Sequence, residues 1–469
     1  MSRPDHTLAL PARMARVAIV APTARLREAL VEVADSGAVE LAGTLPSPSG
    51  EALEALRRLE RKWTNGTPRP SLSPAAVDPS ELERAGEADL LAGEVELSRR
   101  AAAAVDHGSF AALVGWTPEQ ELEPLSERLA PYGATVVELP RPPWLEPPTL
   151  IARTAMAKPF RPLVETYGSA RYADLDPTLF AAFSFALMFG MMFGDVAHGL
   201  LLAGAALALR SVRRGRFAGL RRAWPLPFAA GLSAAFFGLL YGEFFGPTGV
   251  APRLWLDPVE EPVPLLTAAV AIGAVLLAVS YGMGTANRWR ESGAATAFVA
   301  PSGIAGTCVF LGAGILLAGW YFQLILVGLV GGTITIAGLV LLSAGYLVEA
   351  GRGGLAVLQV GIEVVDAVVR VGSSAISFTR LAAFGLMHAA IGAIVWAAAT
   401  ALWGGVVGTA VAVLVFFAGN LFALTLELLV AGIQAVRLEY YELFSRVFAG
   451  EGHVFAPWHV PLAPRKEES

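Results

Sequence analysis

Two long apolar stretches in the last quarter of this sequence hold Asp366, Arg370, Arg380, Glu427 and Arg437, accompanied by His388 and Gln434. A charge at mid-bilayer costs at least about 2.5–3.5 kcal/mol, so such residues mark ion pathways, relays or counter-ions by default. Several have plainer readings. Asp366 and Arg370 stand four apart; either they neutralise each other as an intrahelical pair, or Asp366 faces a water-filled channel by itself. Glu427 and Gln434 are seven apart on one helix face, forming a polar file or a satisfied contact between helices. His388 is a relay or a packed core histidine. Arg380 differs, because no carboxylate lies within one helical turn of it. Its helix is rich in small residues, among them Gly372, Ser374, Ser377, Ala382 and Gly385, which admit a neighbouring helix closely. A permanently charged guanidinium on such a face calls for a carboxylate from another chain.

The elements that must position these residues are membrane spans. The 469 residues are 55% hydrophobic and 16% charged, against roughly 25% charged for a soluble domain. Of the 75 charged residues, 44 precede Pro177, so a soluble N-terminal part is followed by an integral membrane part. The single cysteine, Cys308, excludes a disulfide framework and a cysteine-based metal site. A net charge of -5 offers no basic surface for nucleic acid. The polar first residues do not read as a cleaved signal peptide.

Apolar segments cover residues 178–209, 224–244, 264–286, 298–319, 321–348, 354–402 and 405–448. The first is interrupted by Gly190, Gly194, Asp195, His198 and Gly199. Lys158, Arg161 and Arg171 precede it and Arg210, Arg213, Arg214, Arg216, Arg221 and Arg222 follow it. Because cytoplasmic loops collect Lys and Arg, both ends belong in the cytoplasm, which predicts a hairpin turning near residues 194–199. Continuing this way puts Arg288, Arg290, Arg352, Arg446, Arg465 and Lys466 on the same side and only Arg253 opposite. Eight spans with both termini cytoplasmic result. The last two segments are far longer than the roughly 30 Å hydrocarbon core requires, which predicts bent or steeply tilted helices.

In the soluble part, alternation and apolar runs predict strands at 15–22, 38–41, 110–116 and 134–139, with helices at 24–36 and 118–132. Between these units fall helices at 49–62 and 80–105, separated by the turn-forming stretch 64–79. The expected organisation is a small α/β domain with a short helical hairpin (1–150), a linker (151–177), the transmembrane domain (178–448) and a tail (449–469). No phosphate loop, paired Cys/His ligand set or nucleophile motif occurs, and no cofactor is expected.

Ser377–Ala390 (SFTRLAAFGLMHAA), Phe185–Gly199 (FALMFGMMFGDVAHG), Glu427–Phe455 (ELLVAGIQAVRLEYYELFSRVFAGEGHVF), Asp176-Pro177-Thr178 and Gly115-Trp116-Thr117-Pro118 together resemble the membrane stator subunit, subunit a or I, of V/A-type rotary ATPases. The resemblance implies a subunit without catalytic residues of its own. It forms two aqueous half-channels against a rotating ring of proteolipid subunits, coupling proton or sodium flow to ATP hydrolysis or synthesis. It implies Arg380 as the essential arginine, Arg437 as the second, and Glu427, His388, Asp366 and Gln434 as polar positions of the ion path. Arg370, Ser374, Ser377, Asp195, His198 and Glu439 complete the set as supporting or half-channel candidates. Gln434 stands where many relatives have His, and Arg370 where a neutral polar residue is usual. The implied partners are the rotor ring, peripheral stalk subunits, the central stalk or ring-cap subunit and the bilayer of the plasma membrane. The family's cytoplasmic arm is normally longer; here the hairpin is expected to end within 49–105, its longer helix having about 26 residues and a length of roughly 39 Å. Two other readings stay open: a secondary transporter holding a small anion at Arg380, which predicts inverted repeats, and a non-conducting scaffold.

Overall fold

A computed structural model describes residues 11–61, 67–142, 145–150, 157–168, 171–172, 174–212, 221, 223–350, 354–447 and 452–463. Arg213, Arg214, Arg216, Arg222, Arg352, Arg465 and Lys466 lie outside the described residues. The chain divides into two compact units, residues 12–150 with 452–469, and residues 1–11 with 151–451.

The first unit is built on an antiparallel sheet. Strand β1 (Met14–Pro22) pairs along its whole length with β4 (Phe110–Pro118); β2 (Glu40–Leu41) and β3 (Val105–His107) pair with β4, and β5 (Thr135–Glu138) with β1. The path β2-β4-β1-β5 is covered by α1 (Leu26–Ser36) and α5 (Leu122–Leu129). Both helices point apolar stripes inward, Ala29, Leu30 and Val33 from α1 and Leu125 and Leu129 from α5, and the resulting core holds Ile19, Val39 and Leu113. The four expected strands are present. The hairpin differs from expectation. It consists of α2 (Glu51–Glu60), α3 (Pro79–Ala85) and α4 (Ala88–Ala101), packed through Ala55, Leu56, Leu82, Ala88 and Leu91. The single helix expected over 80–105 is broken at Gly86, whose φ of 74° ends α3 in the left-handed region that glycine adopts without strain. Past Ala101 the chain turns, and Val105, the last residue of the expected helix, opens β3 instead. The longest helix here, α4 with 14 residues, is therefore about 21 Å long.

Residues 452–463, which the sequence leaves as a tail, are built into this unit. Trp458 N–H donates to Val39 O (2.8 Å), Leu72 N–H to Pro461 O (3.0 Å) and Ala463 N–H to Leu72 O (2.9 Å). Trp458 and Val460 are buried among Leu30, Leu72 and Leu97, with the Arg100 guanidinium 5.3 Å from the Trp458 ring centroid. Trp458→Ala should therefore destabilise the unit by about 3–5 kcal/mol, the usual cost of emptying a buried aromatic site. Hydrogen exchange of the β1 and β4 amides reads this directly, and unchanged protection would show that the segment contributes nothing to the core.

The second unit is a bundle of apolar helices: α7 (Thr178–Met192), α8 (Val196–Ser211), α9 (Pro225–Tyr241), α10 (Pro262–Val299), α11 (Ile304–Tyr321), α12 (Ile325–Ala350), α13 (Gly354–Ser377), α14 (Thr379–Ala401) and α15 (Gly405–Leu438), preceded by the short α6 (Arg161–Glu165). Among the described residues, five helical stretches are long and apolar enough to cross a membrane; the three shorter apolar helices are α7, α8 and α9. The first apolar segment is thus two helices, turning at residues 193–195. Glycines let α8 and α9 touch backbone to backbone: a Cβ on Gly199 would sit 2.4 Å from Ala235 N, and one on Gly238 2.3 Å from Val196 N.

The long segment 354–402 bends at Phe378. Its N–H donates to Ala375 O and its carbonyl accepts from Leu381 N–H, both i to i+3 contacts that separate α13 from α14. Ser377 Oγ donates back to Ser373 O (3.0 Å), a contact that bends helices. The Phe378 ring is fully buried against Gly273 of α10, where any Cβ would meet it at 2.1 Å. The other long segment passes from α15 into a π-helical turn at Glu439–Phe444.

Candidate functional site

The bend sets Arg380 at the second residue of α14. It is half-buried, and among the described residues it has no hydrogen bond or ion pair. Along the helix its neighbours are polar in both directions. Asp366 stands fourteen residues earlier and His388 eight residues later, about 21 and 12 Å away along the axis at 1.5 Å per residue.

On the Asp366 side lies a cavity of about 160 Å³ lined by Asp366, Arg370, Tyr281, Tyr346 and Arg446. Asp366 and Arg370 form the intrahelical pair, with Arg370 Nε 2.7 Å from Asp366 Oδ2. Arg446 Nη2 donates to Ser374 Oγ (3.0 Å), and its guanidinium lies 5.4 Å from the Tyr281 ring centroid. The Asp366 and Arg370 side chains keep 45% and 63% of their surface within this chain. Where water reaches such a pair, it couples by less than about 1 kcal/mol. A double-mutant cycle with Asp366→Ala and Arg370→Ala on thermal unfolding should return a coupling of that size; several kcal/mol would mean that the pair is buried when the protein works.

On the His388 side, side chains from four segments meet in the protein interior. His388 Nδ1 hydrogen-bonds the Glu427 carboxylate of α15, and both side chains are buried. The other Glu427 oxygen has no partner. Asp195 caps α8: Oδ1 accepts His198 N–H (2.9 Å), and Oδ2 accepts Gly246 N–H (3.0 Å) from the loop after α9. The His198 ring packs against Phe193, Phe245 and His388, its centroid 5.7 Å from that of His388. Glu243, from the same loop, is 4% exposed, and its Oε2 lacks a partner. Sequence reasoning passed over Glu243, although a lone carboxylate inside the apolar run 224–244 was a signal for it.

The remaining candidates scatter. Gln434 does not join Glu427 in a polar file among the described contacts; its Oε1 is buried without a partner. Arg437 is exposed on α15. Glu439 is fully buried in the π-turn, where Ser184 Oγ of α7 approaches both carboxylate oxygens at 2.9 and 2.7 Å. Ser184 was not legible as a partner, because 255 residues separate the two.

Fold and site define a multi-pass α-helical membrane protein carrying ionisable clusters inside its bundle. Residues 104–248 match the V-type ATPase 116kDa subunit family. The A-type ATP synthase subunit I of Thermococcus kodakarensis is 29% identical over 369 residues, covering 74% of this chain and 54% of that protein. The A-type ATP synthase subunit I of Archaeoglobus fulgidus is 26% identical over 403 residues, 74% of this chain and 58% of that protein. The V-type ATP synthase subunit I 2 of Treponema pallidum is 35% identical over 146 residues, 28% of this chain and 32% of that protein. The chain spans about half the length of these archaeal relatives. Over about three quarters of its length this chain is thus similar to A-type ATP synthase subunit I proteins, and residues 104–248 carry the match to the V-type ATPase 116kDa subunit family.

Proposed function

We propose that this chain is the ion-translocating stator subunit of a V/A-type rotary ATPase, a subunit without nucleotide chemistry of its own. The observation that carries the reading is Arg380: a guanidinium without a partner among the described residues, at a helix bend, with polar groups axially on either side of it. In this reading the Asp366 cavity and the Asp195–His388–Glu427 cluster belong to two offset half-channels. A proton or sodium ion enters by one, neutralises a carboxylate of the rotor ring, travels with the ring and leaves by the other. Arg380 meets the ring carboxylate between the two. An opposite charge within about 4–6 Å favours the ionised carboxylate, which expels the ion before the site passes and blocks a direct leak.

The partners are then the proteolipid ring, the central-stalk or ring-cap subunit and peripheral stalk subunits, in a plasma membrane crossed eight times with both termini cytoplasmic. The unit of residues 12–150 serves as stalk-docking domain. Its hairpin, with a longest helix of about 21 Å, is too short to separate two lobes, so one docking site is expected, near residues 15–60 and 110–140. The experiment is to purify the complex that forms around this chain, crosslink it and reconstitute it in vesicles. ATP-driven ion uptake, with stalk crosslinks in 15–60 and 110–140, is the expected result. Copurification without any ring subunit, or ion uptake coupled to a solute gradient and independent of ATP, would overturn the reading.

A further inference from the structure

We propose that Asp195, His198 and His388 form a binding site for one first-row divalent cation, of the kind that Zn²⁺ probes, tying the α7–α8 turn to α14. A carboxylate oxygen of Asp195 and a ring nitrogen of each histidine all lie within 4.8 Å of one another, and all three residues are buried. Two imidazoles and a carboxylate are a donor set that such ions accept, at bond lengths of about 2.0–2.2 Å. Modest side-chain rotation closes the remaining gap.

His198 sets this cluster apart from an ordinary buried polar contact. Its side chain is 3% exposed, and neither ring nitrogen makes a well-formed hydrogen bond; the neighbouring acceptors are the Asn420 backbone and Asp195 Oδ1, 3.7 Å from Nδ1. Leaving a buried polar group unmatched costs about 1–3 kcal/mol, yet the ring points a nitrogen at two other donors. The neighbourhood is also rich in acceptors: Asp195, Glu243 and Glu427 contribute three buried carboxyl groups, and among the described residues none of them forms an ion pair with Lys or Arg. A dication matches that balance, whereas one more neutral donor does not. His388 Nδ1 hydrogen-bonds Glu427, which leaves Nε2 for the ion and supplies the carboxylate contact that orients metal-bound imidazoles. Asp195 is held from two directions by the His198 and Gly246 N–H groups, so one ligand needs no reordering.

The site rests on coordination alone. Its consequence for transport rests on the ion path proposed above: an ion bound there occupies the half-channel and stops uptake. The test uses the full chain, purified in detergent with any polyhistidine tag removed, and titrated with Zn²⁺ by calorimetry. X-ray absorption reports the ligands. One ion per chain with nitrogen and oxygen ligands is expected. His198→Gln should weaken binding by at least about 100-fold, the upper end of what an outer-shell carboxylate alone commands, and Glu427→Gln by about 10–100-fold. Asp195→Asn keeps the α8 cap through its amide oxygen but gives up the acceptor for Gly246 N–H, so its thermal unfolding is recorded beside its binding to separate coordination from folding; it too should weaken binding. Absence of saturable binding, or binding that none of these variants alters, would overturn the site. Binding that leaves uptake by the reconstituted complex unchanged supports the site and removes the ion path through it.

Discussion

Arg380→Ala is expected to abolish ATP-driven ion uptake by the reconstituted complex and to leave its assembly and thermal unfolding nearly unchanged. Both halves come from the same observation. Arg380 has no partner among the described residues, so truncating it leaves no orphaned carboxylate in the chain, and folding should not register the loss. What disappears is a positive charge facing the ring. Such a charge lowers a neighbouring carboxylate pKa by about 1–3 units, so removing it lowers the ratio of ionised to neutral carboxylate at fixed pH by about 10- to 1000-fold. Arg380→Lys should remain severely impaired, because a compact ammonium has neither the planar fork nor the same reach. Uptake at wild-type rates in Arg380→Ala would sink the role assigned to this residue.

Glu427→Leu should behave oppositely, losing stability as well as transport. His388 and Glu427 are buried and face each other across α14 and α15. Removing one member of a buried ionic pair strands the other, at a cost of about 3–5 kcal/mol when the survivor stays charged and about 1–3 when it is neutral. Replacing both by leucine removes the stranded group, so the double variant should unfold at a higher temperature than the worse single. Its transport should stay absent. Additive stability losses in the cycle would show that the two side chains do not depend on each other, and retained uptake in Glu427→Leu would take it out of the ion path.

How much of this was legible beforehand divides along the range of the forces involved. The positions of the apolar helices, the two-helix course of 178–209, the four main strands and the isolation of Arg380 from local carboxylates are set within a few residues of chain. Apolar length, side-chain period and charge bias act at that scale, so the sequence by itself determined them. The i,i+4 meeting of Asp366 and Arg370 is likewise local, although its exposure is not. Only the tertiary structure decided which distant groups meet. Glu427 could have continued along its own helix face to Gln434, but the close approach of α14 and α15 brings it to His388 instead. Glu439 found Ser184 across the bundle, Glu243 joined Asp195 and His198 through a loop, and Phe378 found the notch at Gly273 that stabilises the bend beneath Arg380. Residues 452–463 carry no period that announces a partner; their backbone hydrogen bonds and Trp458 are satisfied only once the sheet and α1 exist to receive them. In each case a buried polar or aromatic group must be matched by whatever packing brings near, and packing between elements hundreds of residues apart is decided by the assembled fold.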